Sequence, residues 1–196
     1  MNRCDISELH FIAPILNMPS IMHHGILSHN LACRIAHNSV DMPEIQERRR
    51  NKQIPGARTL HDYANLYFDA HNPMLSKRRA RNDEICVLRV NATVLDLPGV
   101  IVSDRNAASS WVRFYSVAEG LRTIDRDRVF AQFWIHSQNP YDEMRHKSEK
   151  CAEVLIPDCV TPNYLIGAYV ANDRARVSFD AQDISLPVEV RGSMFF

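Results

Sequence analysis

The eight residues Lys150-Cys151-Ala152-Glu153-Val154-Leu155-Ile156-Pro157 constrain the fold more than any other part of this chain. Val154, Leu155 and Ile156 form an apolar run bounded by a charge and a proline, which reads as a short buried strand. The Glu153 carboxylate stands at its start. A long, polar and irregular stretch from His136 to Lys150 precedes it and is expected to be a loop. A carboxylate on a rigid strand behind such a loop is one way to build a catalytic acid. A solvated edge residue is the plainer alternative.

The other apolar runs are equally short. Residues 9–12, 65–68, 85–90, 100–102 and 165–170 read as strands, as do 177–179 and 188–190 in the tail. Pro14 ends the first of them. Residues 26–28 form a brief extended piece. Residues 111–115 fit either a strand or a helix, and 128–134 a helix or part of a loop edge. A short helix over 17–24 is expected, with Pro19 in its first turn and Gly25 closing it. A second spans 43–50, with Asp41 as candidate cap and Glu44 in the first turn. There is no long βα alternation and no G-x-G-x-x-G motif, which argues against a dinucleotide-binding Rossmann domain. The pattern predicts an α+β fold over 1–196, one domain with a mixed or antiparallel sheet and short helices.

A chain of 196 residues with 45% hydrophobic and 23% charged residues is long enough for one globular core. No apolar run reaches the length of a membrane span, and residues 1–8 lack the apolar core of a signal peptide, so no membrane is expected and a cytoplasmic location is. The five cysteines include no C-x-x-C pair, so neither a zinc knuckle nor a disulfide framework is expected, and no metal. The 23 basic and 23 acidic residues cancel, which disfavours a large sequence-independent duplex-DNA binder. Two basic clusters, Arg48-Arg49-Arg50-Asn51-Lys52 and Lys77-Arg78-Arg79-Ala80-Arg81, read as solvated faces or as local phosphate-binding patches.

Several separated motifs then agree. They are Leu9-His10, Asn17-Met18-Pro19-Ser20-Ile21 leading to His24-Gly25-Ile26-Leu27-Ser28, and Ile45-Gln46-Glu47-Arg48-Arg49. Further along come Leu60-His61-Asp62-Tyr63, Asn65-Leu66-Tyr67-Phe68, Asn72-Pro73-Met74-Leu75, and Glu84 to Val90. Leu97-Pro98-Gly99-Val100, Asp104-Arg105-Asn106-Ala107-Ala108, Lys150 to Leu155 and Tyr164 to Val170 complete the set. In this order the motifs resemble the DarT family of toxin–antitoxin DNA ADP-ribosyltransferases.

The resemblance implies an ADP-ribosyltransferase-like fold of split antiparallel β-sheets with short helices, and NAD as the ADP-ribose donor in the cleft. It implies transfer to a base of single-stranded DNA, typically thymine, and a macrodomain antitoxin of the DarG type as partner. It makes Glu153 and Arg49 catalytic, with Arg48 as the alternative register and itself a candidate NAD contact. Glu153 would stabilise positive charge at the ribose carbon and take the proton of the target base. An arginine suits the basic motif because a guanidinium can clamp an oxyanion with two bonds. His10, Gly25 and Leu27 would sit at NAD, and Tyr67 would wall the nicotinamide, with Tyr63 and Phe68 as competitors. On the loop before Glu153, Tyr141 would stack on a base while Arg145 and Lys147 meet phosphates. Ile12 stands where many members have threonine, so any hydroxyl contact to NAD there is lost or replaced. RNA or protein as acceptor, and a catalytically silent nucleic-acid-binding module, are the competing functions.

Overall fold

The structure is a computed structural model that describes residues 1–38, 43–135 and 139–196. Its strands are β1 (Glu8–Pro14), β2 (Ile26–Leu27), β3 (Tyr63–Tyr67), β4 (Ile85–Asn91), β5 (Ile101–Ser103), β6 (Phe114–Ser116), β7 (Glu153–Pro157), β8 (Cys159–Val160), β9 (Leu165–Val170) and β10 (Val188–Val190). Eight of them form one sheet in the order β10-β9-β4-β1-β3-β7-β5-β6, and β2 pairs with β8 apart from it. Within the large sheet every neighbouring pair is antiparallel except β10 and β9. The helices are short: α1 (Met18–His24), α2 (His29–Ala32), α3 (Pro43–Arg50), α4 (Pro73–Ser76), α5 (Val117–Thr123), α6 (Arg126–Val129), α7 (Pro140–Glu149) and α8 (Asp173–Asp180).

Alternation along the strands divides the sheet into two faces. Leu9, Leu66, Leu88, Val90, Val154, Ile156 and Ala168 point into the main core, where Ala175 and Phe179 of α8 and Leu121 of α5 cover them. The opposite face carries Ile12, Tyr67, Val87 and Tyr169 in a smaller apolar cluster. Polar residues interrupt this second face, and the site lies there.

The sheet is divided at β1 and β3. Those two strands share one registered pair, His10 with Tyr67, whereas β1 and β4 stay paired over seven positions. Past His10 the strands part, and the halves β10-β9-β4-β1 and β3-β7-β5-β6 open a cleft. The expected split architecture is therefore realised as one sheet hinged at a single pair.

Two local expectations are corrected. Residues 177–179, read as a strand, lie in α8. The Asn172 side chain caps that helix by accepting from Ala175 N, and the buried pair Ala175 and Phe179 at i, i+4 fixes its inner face. The stretch before Glu153, read as a loop, is largely α7. There the Asn139 side chain accepts from Asp142 N and Pro140 takes the first turn. Its polarity misled because α7 buries few residues, His146 and Glu149 among them, so it lacks the apolar stripe of an amphipathic helix. Residues 114–116 resolve as strand β6, and of the stretch 128–134 only 128–129 are helical, as the end of α6. The helix over 43–50 is as expected, while its candidate cap Asp41 lies outside the described residues. No described helix is long and apolar enough to cross a membrane.

Candidate active site

Register places a row of residues across the second face. Gly167 pairs with Arg89, Arg89 with His10, His10 with Tyr67, Tyr67 with Glu153, and Glu153 with Ser103. Directly opposed residues project to the same side, so these side chains stand side by side. His10 and Glu153 are two strands apart, roughly 10 Å at the usual strand spacing. Phe68 points to the main core instead, which removes it as a competitor for the aromatic wall.

Glu153 begins β7 and is 0% exposed. A buried carboxylate is costly unless paired and hydrogen-bonded, and here it is both. Arg49, at the last turn of α3, donates from Nη1 to Oε1 at 3.2 Å and to Oε2 at 3.1 Å. The Ala107 amide donates to Oε1 at 2.8 Å. Glu153 N donates in turn to the Ser103 hydroxyl at 3.2 Å, which itself donates to the Arg105 carbonyl at 2.7 Å. The start of β7 is held from the other side by Lys150, fully buried, whose ammonium pairs with Asp69 and donates to the Val129 carbonyl at 2.7 Å. Burial lowers the Lys150 pKa, and Asp69 opposes that shift.

Of the three arginines in the basic run, Arg48 and Arg50 are exposed and Arg49 is 6% exposed. The reading of the run as a solvated face therefore fails for Arg49, which is buried. Successive helical residues point about 100° apart, so only one of the three can face the carboxylate.

Two cavities meet at Arg49, while Glu153, buried behind it, lines neither. The larger, about 780 Å³, lies between α3, α4, α7 and the loop after β5. Among the described residues its walls carry eight Arg or Lys, Arg48, Lys77, Arg145 and Lys147 among them, and no Asp or Glu. The smaller, about 120 Å³, occupies the cleft between Phe11–Pro14 of β1 and Tyr63, Asn65 and Tyr67 of β3, with Asn17, Leu27 and His29. Both share Gln46, Arg49, Asn65, Tyr67 and Met74, so that wall separates them. Cys151 also lines the larger cavity. Burial and the nearby Glu153 push its thiol up to about 12, which leaves it protonated and unsuited to nucleophilic work.

The remaining predicted residues divide. Tyr67 lines both cavities and Tyr63 the smaller one, Leu27 lines the smaller, and Arg48, Arg145 and Lys147 line the larger. Arg145 and Lys147 are paired along α7 with Glu149 at 2.7 Å and Glu143 at 2.5 Å. Gly25 lines neither cavity and is structural, since its φ of +85° and a Cβ clash at 2.3 Å with the Val160 carbonyl demand glycine. Tyr141 is 82% exposed and stands outside both cavity walls. His10 is buried and also off the walls: Nδ1 lies 3.3 Å from the Phe68 carbonyl and Nε2 3.2 Å from Glu8 Oε1.

Glu8 gathers three partners, His10, Arg89 Nε at 2.8 Å and the Tyr169 hydroxyl at 2.8 Å. Burial opposes its ionisation, yet those hydrogen bonds outweigh it and lower its pKa to about 2. His61, whose Nε2 lies 3.0 Å from Gln46 Oε1, lies beside His29 with ring centroids 4.1 Å apart and tilted by 35°, on the wall of the smaller cavity. Burial first, then the charges of His29, Arg49 and Arg50, lower it to about 4, so its ring is neutral at neutral pH.

Sequence reasoning missed the roles of Ala107, Ser103, Gln46 and Asn65. The motif Asp104 to Ala108 was visible, but nothing local says that an alanine amide meets a carboxylate. Asn65 was accessible in principle, because it lies two residues before Tyr67 and therefore on the same strand face.

A family model described as ssDNA thymidine ADP-ribosyltransferase, DarT, matches residues 10–196. A DNA ADP-ribosyl transferase–DNA ADP-ribosyl glycohydrolase fusion protein of Thermosipho africanus is 29% identical over 175 residues, covering 84% of this chain and 42% of the relative. A DNA ADP-ribosyl transferase of Thermus sp. is 28% identical over 162 residues, covering 76% of this chain and 74% of the relative. The chain thus spans less than half of the fusion relative. Among solved structures, Thermosipho africanus DarTG in complex with ADP-ribose superposes with a TM-score of 0.82 at 28% identity, covering 97% of this chain and 51% of that one. Thermus sp. 2.9 DarT in complex with ADP-ribosylated ssDNA gives 0.83 at 22% identity, covering 98% and 97%, which shows the shared fold. With its split sheet, its buried glutamate–arginine pair and a family match over nearly its whole length, the chain belongs to the DarT family.

Proposed function

We propose that this chain is a single-domain, cytoplasmic toxin that transfers ADP-ribose from NAD to a base, thymine, of single-stranded DNA, and that a DarG-type macrodomain antitoxin reverses the mark. One observation carries the reading: Arg49, which covers Glu153, stands in the wall common to both cavities. Donor and acceptor can therefore approach one guanidinium from two sides, and its displacement opens the buried carboxylate to both.

The residues fit an NAD donor. The cleft between β1 and β3 combines apolar Phe11 and Leu27 with polar Asn17 and Asn65, and Tyr67 offers a ring face beside them. The cleft is too small for a whole dinucleotide, and suits its nicotinamide end. Breaking the N-glycosidic bond of the donor places positive charge on the ribose carbon. Glu153 stabilises that charge electrostatically, and strongly so, because it is shielded from water. Arg49 turns aside from it to hold a donor phosphate or ribose oxygen. A base nitrogen then forms the new bond to carbon as nicotinamide departs, and Glu153 takes the base proton. The cationic wall of the larger cavity holds the acceptor strand through its phosphates.

The test is incubation with NAD labelled in its adenylate phosphate and, separately, single-stranded DNA, duplex DNA, RNA and protein. Label is expected on the single strand and not on the duplex, where extracting a base costs a few kcal/mol. Label on RNA or protein in its place overturns the choice of acceptor, and no transfer at all overturns the activity.

A further inference from the structure

We infer that Trp111 is a stacking platform for an unpaired base next to the target base, and that it sets the position of the strand relative to Glu153. The inference rests on the reading of the larger cavity as the DNA site.

Trp111 is 69% exposed and lines that cavity. A tryptophan left in water forgoes the burial that normally justifies so large an apolar side chain, which marks a surface for a partner. Its loop is not loose. Asp104 N and the Arg113 carbonyl close its base at 3.2 Å, with Arg113 N returning to Asp104 Oδ1 at 3.0 Å. Asn106 N reaches the Ser148 carbonyl of α7 at 2.8 Å, and Lys52 Nζ reaches the Ser109 carbonyl at 2.8 Å. Trp111 N itself donates to Ser109 Oγ at 3.3 Å. The indole is thus an exposed aromatic on a fixed support.

That same loop donates the Ala107 amide to Glu153 Oε1. Platform and carboxylate therefore belong to one anchored unit, and a base on the indole is placed at a set distance from the reacting centre. The surrounding wall supplies the complementary half of a single-strand track. Its cations meet the phosphates, while an aromatic face accepts any base without reading its edge. An acidic polypeptide would satisfy the cations and leave the indole face unused.

The experiment measures binding of the full chain, without NAD, to a short fluorescein-labelled single strand by anisotropy. Trp111→Ala is expected to weaken the Kd roughly tenfold, within the range of one base–aromatic stack. Trp111→Phe should recover most of that loss, whereas Trp111→Leu, apolar but without a π face, should resemble Trp111→Ala. An abasic position walked along the strand should reproduce the loss for the wild type at one site, and at that site Trp111→Ala should lose nothing more. The salt slope should stay the same in all variants, since no phosphate contact is removed. Poly-glutamate should bind wild type and Trp111→Ala alike. Equal affinity of Trp111→Ala and wild type for the intact strand, wild-type affinity in Trp111→Leu, or a loss that persists undiminished at every abasic position would overturn the inference while leaving the DNA site in place. Failure of the wild type to bind any single strand would sink both readings.

Discussion

Arg49 and Glu153 meet across 104 residues of chain, one guanidinium nitrogen donating to both carboxylate oxygens of a side chain with no exposure. Removing one partner leaves the other buried and uncompensated, which typically costs about 3–5 kcal/mol. Arg49→Ala should therefore lower stability by that order as well as abolish transfer. Arg48→Ala, on the exposed side of α3, should change stability by about 0.5 kcal/mol or less. Glu153→Gln keeps an acceptor for the Ala107 amide and should lose nearly all transfer at a smaller cost in stability. The double variant should recover part of the Arg49→Ala loss. Urea denaturation of the four variants checks this, and an Arg49→Ala protein as stable as Arg48→Ala would refute it.

Arg145 and Lys147 already have partners along α7, Glu149 and Glu143, so strand phosphates must compete with those carboxylates. Replacing both by Ala should raise the KM for DNA and leave the KM for NAD within about twofold. The slope of log Kd against log salt should shrink by about 1–1.5, as expected when two single-strand phosphate contacts vanish. An unchanged slope would move the strand to the Lys77 and Arg78 side of the cavity.

Gly25 joins α1 to β2 with a φ of +85° and leaves no room for a Cβ beneath the Val160 carbonyl. Gly25→Ala should cost about 1–3 kcal/mol through backbone strain. It should also raise the KM for NAD, because the same turn carries Leu27 to the cleft wall. An unaltered melting temperature would show that β8 simply gives way.

Two groups with strongly lowered pKa values contribute to the acid limb of stability. His61 has a folded pKa near 4, below its ordinary 6.5, so the unfolded chain binds the proton more readily. Stability is unaffected above pH 6.5 and falls as pH drops from there towards about 4. Glu8, lowered to about 2 from 4.5, contributes stability above pH 4.5 that is lost as pH falls towards 2. Denaturation midpoints should thus decline in two windows. His61→Asn should flatten the upper window and Glu8→Gln the lower. A single window unaffected by His61→Asn would contradict the buried neutral ring.

Short-range signals determined much of this protein. The apolar runs at 85–90, 154–156 and 165–170 are strands because each buries residues over a few positions, and Glu153 begins its strand as its place before Val154 implies. Pro43 and Glu44 open α3, and Gly25 closes α1, through preferences that act within one helical turn. The same local reading failed at α7 and α8, where the packed face rather than the polarity of the run decides the helix. The family resemblance favoured Arg49 with Arg48 as the alternative register, and only the tertiary structure shows which of the three arginines meets Glu153. Neighbours in a charged run are chemically alike, and only the orientation of α3 against β7 brings one of them to the carboxylate. It alone aligned His10, Tyr67 and Glu153 in one row and brought the Ala107 amide to Glu153. Register and burial arise from pairings between distant segments, and no window of neighbouring residues contains them.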